Sequence, residues 1–307
     1  MKNQTQKRAF YVLTGCIAAL ALCIAAALAL LCRTPAAQDV SIPGTRGTIY
    51  ATVQLPGKLA RSGDMPLAVL CHGFTGSRAG DGHFAPLAQE LAAQGIATVR
   101  LDFPGCGDST EPFTAYTLSN MADDVESAIL YMQSTYGTGP TALVGHSMGG
   151  RLASLYPQLG QYPVTALALW SPANGTGLHG LEFLNSNDFA AVEELAARAD
   201  AEGSVAAWGV TLSADYIDGM RDSDPNAVLR ASGLPVLLTY SGNERILSDT
   251  TQSETQAAVE SLPGGQIVLD SFVNGDHNYT SEDSDTNARL DADLRQITVT
   301  FLTSHLQ

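Results

Sequence analysis

A serine flanked by glycines, Gly145-His146-Ser147-Met148-Gly149, follows directly on the apolar run Thr141-Ala142-Leu143-Val144 and precedes Gly150-Arg151-Leu152-Ala153-Ser154-Leu155-Tyr156. A strand, a G-x-S-x-G turn and a helix in that order form a nucleophile elbow. The glycines admit a turn too tight for side chains, which holds the serine above the sheet edge. The helix N-terminus behind it favours negative charge developing there. The plain alternative is a structural glycine-serine turn. The preceding strand, the following helix and suitable partners elsewhere in the chain favour a nucleophile.

A serine hydroxyl needs a base, and the base needs an orienting carboxylate. His277 lies late in the chain on the turn-forming segment Asn274-Gly275-Asp276-His277-Asn278-Tyr279, after the apolar run Gln266-Ile267-Val268-Leu269. In the order serine, acid, histidine, that is where the base belongs. His83, His179 and His305 have no comparable setting and read as ordinary polar residues. His146 reads as a packed, hydrogen-bonded support inside the elbow. For the acid, the run Pro235-Val236-Leu237-Leu238-Thr239-Tyr240 leads into Ser241-Gly242-Asn243-Glu244-Arg245-Ile246-Leu247, where Glu244 is the first carboxylate. Asp249 and Asp276 are its rivals. The other position some hydrolases use, after residues 164–169, offers Trp170-Ser171-Pro172-Ala173-Asn174 and no carboxylate.

Acyl transfer also needs donors aimed at the oxyanion, each worth ~10²–10³ in rate. One is the backbone N–H of Met148, the residue after the serine. The other is expected on the loop after an earlier strand. There Leu67-Ala68-Val69-Leu70-Cys71 runs into His72-Gly73-Phe74-Thr75-Gly76, making the Phe74 N–H the candidate. His72 itself reads as a brace for that loop.

Taken together, His72-Gly73-Phe74-Thr75-Gly76, Asp102-Phe103-Pro104-Gly105-Cys106-Gly107-Asp108-Ser109, Gly145-His146-Ser147-Met148-Gly149-Gly150 and Gly275-Asp276-His277-Asn278-Tyr279 resemble the α/β-hydrolase superfamily, and within it the feruloyl/cinnamoyl esterase branch. The resemblance covers about residues 44–306. It implies Ser147 as nucleophile, His277 as base, and Phe74 and Met148 as oxyanion donors. Two departures stand out. The family has glycine, two spacers and aspartate in the acid loop, whereas Arg245 falls at that place here. A one-residue deletion before Glu244 restores the match and passes the acid role to Glu244. Cys106 stands where the related loop generally has histidine.

The N-terminus carries a second signal. Lys2, Lys7 and Arg8 precede residues 9–32, a stretch of 24 residues without a charge, and Arg33-Thr34-Pro35 ends it. As a helix this stretch is ~36 Å long, enough for a hydrocarbon core of ~30 Å. Its length favours an uncleaved signal anchor over a signal peptide, whose apolar region is ~7–15 residues, although residues 34–38 offer a small-residue cleavage site. A buried core helix is a further alternative. Leu13-Thr14-Gly15-Cys16 resembles a lipoprotein cleavage box but has too short an apolar stretch before it. Positive charge before the span predicts a cytoplasmic N-terminus (residues 1–8), a single-pass anchor, a linker at 33–44 and an external catalytic domain at 45–307. Secretion after cleavage is the alternative.

The formal net charge of −15 disfavours nucleic acid and anionic membrane surfaces as partners. Contact with a membrane is expected through the N-terminal helix alone. Of five cysteines, three lie in the apolar span. Cys71 and Cys106 end neighbouring strands and read as buried thiols, with a disulfide as the alternative. No Cys/His metal spacing, H-E-x-x-H or phosphate-binding glycine loop occurs, so neither metal nor cofactor is expected.

The remaining periodicity places strands at 47–54 and 96–101 and helices at 84–94 and 118–136. A closing helix at 287–306 carries Leu290, Leu294, Ile297, Phe301 and Leu302 on one face, despite the locally strand-like Ile297-Thr298-Val299-Thr300-Phe301. This implies a mostly parallel sheet covered on both faces. Residues 174–232 read as a cap insertion. In it Phe189, Val192, Leu195 and Ala196 form a helical stripe behind Asp188 or Ser186 as N-cap. Phe183, Phe189, Trp208 and Tyr216 are candidate walls of a substrate pocket, although each taken singly reads first as ordinary cap core.

The function implied is a serine carboxylic ester hydrolase acting on small-molecule esters through an acyl-enzyme, with hydroxycinnamoyl esters suggested by the resemblance. A peptidase or acyltransferase on the same three residues is the enzymatic alternative. A catalytically silent cell-surface binding protein is the alternative of a different class.

Overall fold

The computed structural model describes residues 20–25, 35–57 and 64–306. Short segments bounded by turn residues, apolar in the central strands, form β1 (Gln38–Pro43), β2 (Thr48–Gln54), β3 (Met65–Cys71), β4 (Ala97–Leu101), β5 (Thr138–His146), β6 (Ala166–Trp170), β7 (Ser204–Ala207), β8 (Val210–Ser213), β9 (Val236–Thr239) and β10 (Gly265–Val268). Longer segments with apolar residues at three- and four-residue spacing form α1 (Phe84–Ala93), α2 (Leu118–Tyr136), α3 (Met148–Leu159), α4 (Phe189–Glu202), α5 (Ala214–Arg221), α6 (Pro225–Ser232), α7 (Asp249–Glu260) and α8 (Ser284–Leu306). Thr117 caps α2 by accepting from the Asn120 N–H, and Asp188 caps α4 by accepting from the amides of Ala190 and Ala191.

The main sheet has eight strands in the order β1-β2-β4-β3-β5-β6-β9-β10. β1, β2 and β4 pair antiparallel, and every pair from β4 to β10 is parallel. Side chains alternate across the sheet, which sorts the core into two halves. Leu67, Val69, Cys71 and Leu143 face α2, α3, α6 and α7. Ala68, Leu70, Ala142 and Val144 face α1 and α8. Coverage on both faces explains why the central strands are apolar throughout rather than alternating. The order β4-β3-β5 also brings the C-terminal ends of β3 and β5 side by side, with Cys71 opposite Gly145.

The closing helix forms despite its strand-like stretch. Leu290, Leu294, Phe301 and Leu302 are buried as predicted, while Ile297 is half-buried. Thr298 takes the fully buried place beside it, accepting from the Trp170 indole N–H at 3.0 Å.

Two boundaries differ from the sequence reading. Part of the expected linker pairs with β2 as the edge strand β1, whose Asp39 accepts from the Thr52 hydroxyl at 2.6 Å. Residues 225–232, expected in the cap, instead form α6, which packs against α3 and α7 as part of the layer covering the sheet. The cap is therefore a 3-10 segment (Gly177–Asn185), α4, the β7–β8 hairpin and α5. Of the apolar span at 9–32 only residues 20–25 are described, and they are helical; the rest of that expectation lies outside the described residues. Among the described residues no helix is long and apolar enough to cross a membrane. Cys71 and Cys106 are buried free thiols. Burial raises both, Cys106 to about 12 with help from Asp102, so neither is a thiolate near neutral pH.

Candidate active site

The elbow forms where β5 ends against α3. Ser147 has φ 53° and ψ −116°, a backbone conformation that costs a non-glycine residue energy and persists only where its surroundings enforce it. They do so here through backbone bonds. The Ser147 N–H donates to the Trp170 carbonyl at 2.9 Å, and the Ser147 carbonyl accepts from the amides of Arg151 and Ala173 at 3.0 Å each. A Cβ on Gly145 would strike the Gly149 carbonyl, and one on Gly149 would strike the Cys71 carbonyl, so only glycine fits at either place.

Two loops bring the partners in. His277 Nε2 lies 2.9 Å from Ser147 Oγ, and His277 Nδ1 lies 2.6 Å from Glu244 Oε2. The other Glu244 oxygen, Oε1, accepts from the amides of Ile246 and Leu247 at 2.8 and 3.1 Å. Burial alone would raise the Glu244 carboxyl. The hydrogen bond and charge of His277, together with those two amides, outweigh it and hold the group below the usual carboxylate range. The acid loop is fastened to the histidine loop by Gly242 N–H to Phe272 O at 2.8 Å and Asn243 N–H to Gly275 O at 2.9 Å. The two rival acids sit elsewhere. Asp249 is exposed in the first turn of α7, and Asp276 accepts from the amides of Asn278 and Thr280 and from the Thr280 hydroxyl within its own turn.

Gly73 lies against the Ser147 side chain, which places the loop after β3 beside the serine. His72 braces it: Nδ1–H donates to the Gly73 carbonyl at 2.8 Å and Nε2 accepts from the Phe103 amide at 3.1 Å. These bonds require the neutral ring, and burial, only partly offset by the Gly73 bond and by Asp102, lowers its pKa to about 4. The N–H groups of Phe74 and Met148 have no acceptor among the described residues.

Three further residues hold the arrangement. His146 Nε2–H donates to the His277 carbonyl at 3.0 Å, so the residue read as a support in the elbow supports the histidine loop. Burial, followed by the nearby His277, lowers its pKa to about 3 and keeps it neutral. His83, read as an ordinary polar residue, is buried instead. Its Nε2 lies 2.8 Å from the Asn278 carbonyl and its Nδ1 2.6 Å from Asp291 on α8. Arg151 of α3 is fully buried with no carboxylate partner. Its guanidinium donates to the carbonyls of Ala173 and Gly175 and to the Ser223 hydroxyl, tying the elbow helix to the end of the cap.

The serine and histidine open into a cavity of about 700 Å³. One wall is aromatic: Phe183 and Trp208 of the cap and Phe74 meet edge to face, with centroids 5.4 to 6.3 Å apart. The acid loop contributes Asn243, Arg245 and Ile246 to the lining. Two of the four pocket candidates are not wall residues. Phe189 stacks on His179 at 4.0 Å outside the cavity, because α4 turns its first residue toward the 3-10 segment. Tyr216 is fully buried behind Phe74, its hydroxyl 3.8 Å from the Met148 sulfur.

A model of the α/β-hydrolase fold matches residues 66–201, from β3 through the elbow to α4. With the sheet order and the strand-serine-helix turn, that match decides the fold. The chain folds as an α/β hydrolase. Est1E from Butyrivibrio proteoclasticus, in a structure with bound ferulic acid, superposes with a TM-score of 0.68 at 19% identity, covering 86% of this chain and 99% of that one. The esterase domain of a Rhodothermus marinus protein superposes with a TM-score of 0.61 at 18% identity, covering 89% of this chain and all of that one. In sequence, 101 residues are 36% identical to 2-(acetamidomethylene)succinate hydrolase of Mesorhizobium japonicum (strain LMG 29417 / CECT 9101 / MAFF 303099). That stretch is 32% of this chain and 34% of the relative, so the match spans about a third of the relative's length. The α/β-hydrolase fold thus agrees with the superfamily that the motif set resembles.

Proposed function

We propose that this α/β hydrolase is a serine carboxylic ester hydrolase working through an acyl-enzyme. The observation that carries the proposal is the unbroken chain Glu244 Oε2 to His277 Nδ1 and His277 Nε2 to Ser147 Oγ, at 2.6 and 2.9 Å, opening on the cavity. In this reading His277 takes the Ser147 proton as Oγ attacks the ester carbonyl, and Glu244 stabilises the imidazolium that forms. The amides of Phe74 and Met148 receive the oxyanion, and the N-terminus of α3 adds its positive end there. His277 then protonates the departing alcohol, and water activated by the same ring releases the acid.

The aromatic wall of Phe74, Phe183 and Trp208 suits a planar or apolar portion of the ester. The ferulic acid bound to Est1E makes hydroxycinnamoyl esters the first class to try. We propose further that the domain lies outside the cell on a single-pass anchor at residues 9–32, on the strength of the charge order in the sequence. Protease added to intact cells then removes the domain, and protection until lysis excludes that orientation.

The test of the enzymatic proposal is kinetic. 4-Nitrophenyl acetate mixed with enzyme should give a burst of nitrophenol followed by slower turnover, the signature of an accumulating acyl-enzyme. Ser147→Ala should abolish the burst and cut turnover by several powers of ten. Undiminished turnover in that variant rules the mechanism out.

A further inference from the structure

Three formally charged side chains other than histidine line the catalytic cavity: Arg245, Asp81 and Asp276. Asp276 is committed to its own turn, with three hydrogen bonds from Asn278 and Thr280. Asp81 lies near His146, its nearest carboxylate oxygen 3.8 Å from Nδ1, and is half-exposed to water. Arg245 has neither hydrogen bond nor ion pair among the described residues. Its neighbour Glu244 forms no ion pair with it, since its oxygens are directed at His277 and at the amides of Ile246 and Leu247. Elsewhere Arg46, Arg78, Arg221 and Arg295 each pair with carboxylates, in a chain where 31 acidic residues face 16 basic ones. Arg245 is thus the cation of the cavity wall, one residue from the acid and with its donors uncommitted.

We propose that Arg245 binds a carboxylate of the substrate, so that the enzyme selects esters carrying a second, anionic group, such as half-esters of short dicarboxylic acids. This rests on the hydrolase reading above and specifies its substrate class. The guanidinium presents paired N–H donors that match a carboxylate, and a charge-assisted bond of this kind is roughly twice as strong as a neutral one. In a protein this acidic the long-range field repels anions, and a local cation at the cavity reverses that preference at the site.

The experiment compares 4-nitrophenyl monoesters of succinic, glutaric and adipic acid with 4-nitrophenyl butyrate, valerate and hexanoate, their neutral counterparts of equal chain length. The readout is the ratio of kcat/KM, anionic to neutral. For at least one chain length Arg245→Gln should lower the ratio by ~10–100-fold, the range expected for losing a hydrogen bond to a charged group. Arg245→Lys should fall between. Arg230→Gln makes the same charge change on α6, away from the cavity, and should leave the ratio as it is. In the unmodified enzyme the ratio should also fall as salt is raised, which needs no variant. If both ester series are hydrolysed and the ratio is the same in Arg245→Gln at every chain length, the proposal is overturned while the hydrolase reading stands. If neither series is hydrolysed, both fall together.

Discussion

The Nε2 of His146 lies 3.0 Å from the backbone carbonyl of His277, so the residue before Ser147 holds the loop that carries His277. The next carbonyl along that loop, Asn278, is held in the same way by His83 at 2.8 Å. His146→Phe keeps a ring in the elbow but removes the donor, leaving the His277 carbonyl unpaired. A lost hydrogen bond of ~1–1.5 kcal/mol corresponds to ~10-fold. The expected outcome is a kcat lowered by about that factor on simple aryl esters, with KM little changed. Steady-state kinetics that show no loss would remove His146 from any positioning role.

Glu244 and Asp249 follow the same strand, and only Glu244 reaches His277. Glu244→Gln keeps the shape but can no longer stabilise the imidazolium, so turnover should drop by ~10³–10⁴ by analogy with amide replacement of a triad acid. Asp249→Asn should change turnover little. The reverse pattern in side-by-side assays moves the acid role to Asp249.

The three residues that meet, Ser147, His277 and Glu244, are legible in the sequence because each sits in a local pattern: a glycine-flanked serine after an apolar run, a histidine in a late turn, a carboxylate after the strand before it. The closing helix was legible for the same reason, since four residues of its stripe are buried. What escaped depends on residues far apart in the chain. His83 meets Asn278 and Asp291 across 195 and 208 positions, and no local signal marks that pairing. The stripe in α4 was visible, but the direction in which the helix presents Phe189 is set by packing on His179. β1 was missed because its residues are mostly exposed, which gives an edge strand little apolar pattern. Tyr216 was misplaced by one layer, and composition alone cannot separate a wall residue from the one behind it.

Burial lowers His72 to about 4 and His146 to about 3, whereas both take their ordinary value of ~6.5 in the unfolded chain. Between those values the unfolded chain binds protons that the folded protein does not, so stability falls as pH falls. The stabilisation is complete above ~6.5. Each histidine then contributes a loss approaching ~1.4 kcal/mol per pH unit until its folded value is reached. The Asp124 carboxyl, raised by burial to about 7, titrates in the same range with the opposite sign. The check is therefore a comparison: in urea unfolding at pH 7, 6 and 5, His72→Gln should lose less stability than the unmodified protein as pH falls, and equal losses contradict it.

Trp208 sits at the tip of the β7–β8 hairpin with φ 49°, half-exposed over the cavity, its indole N–H donating to the Leu184 carbonyl at 3.1 Å. A bulky residue in that conformation is strained, and such strain concentrates at sites where a side chain is held for a task. Trp208→Ala should raise KM for aryl-acyl esters ~5–20-fold through lost apolar and ring contact, with a smaller effect on acetyl esters. An equal effect on both acyl groups removes Trp208 from acyl recognition.

Ser147 as the attacking residue is tested most directly by mass spectrometry after treatment with a fluorophosphonate, which captures an activated serine as a covalent adduct. The geometry predicts a single adduct, on the peptide containing Ser147, and none in Ser147→Ala or after His277→Ala removes the base. An unlabelled protein under conditions where it hydrolyses esters, or an adduct on any other serine, contradicts the assignment.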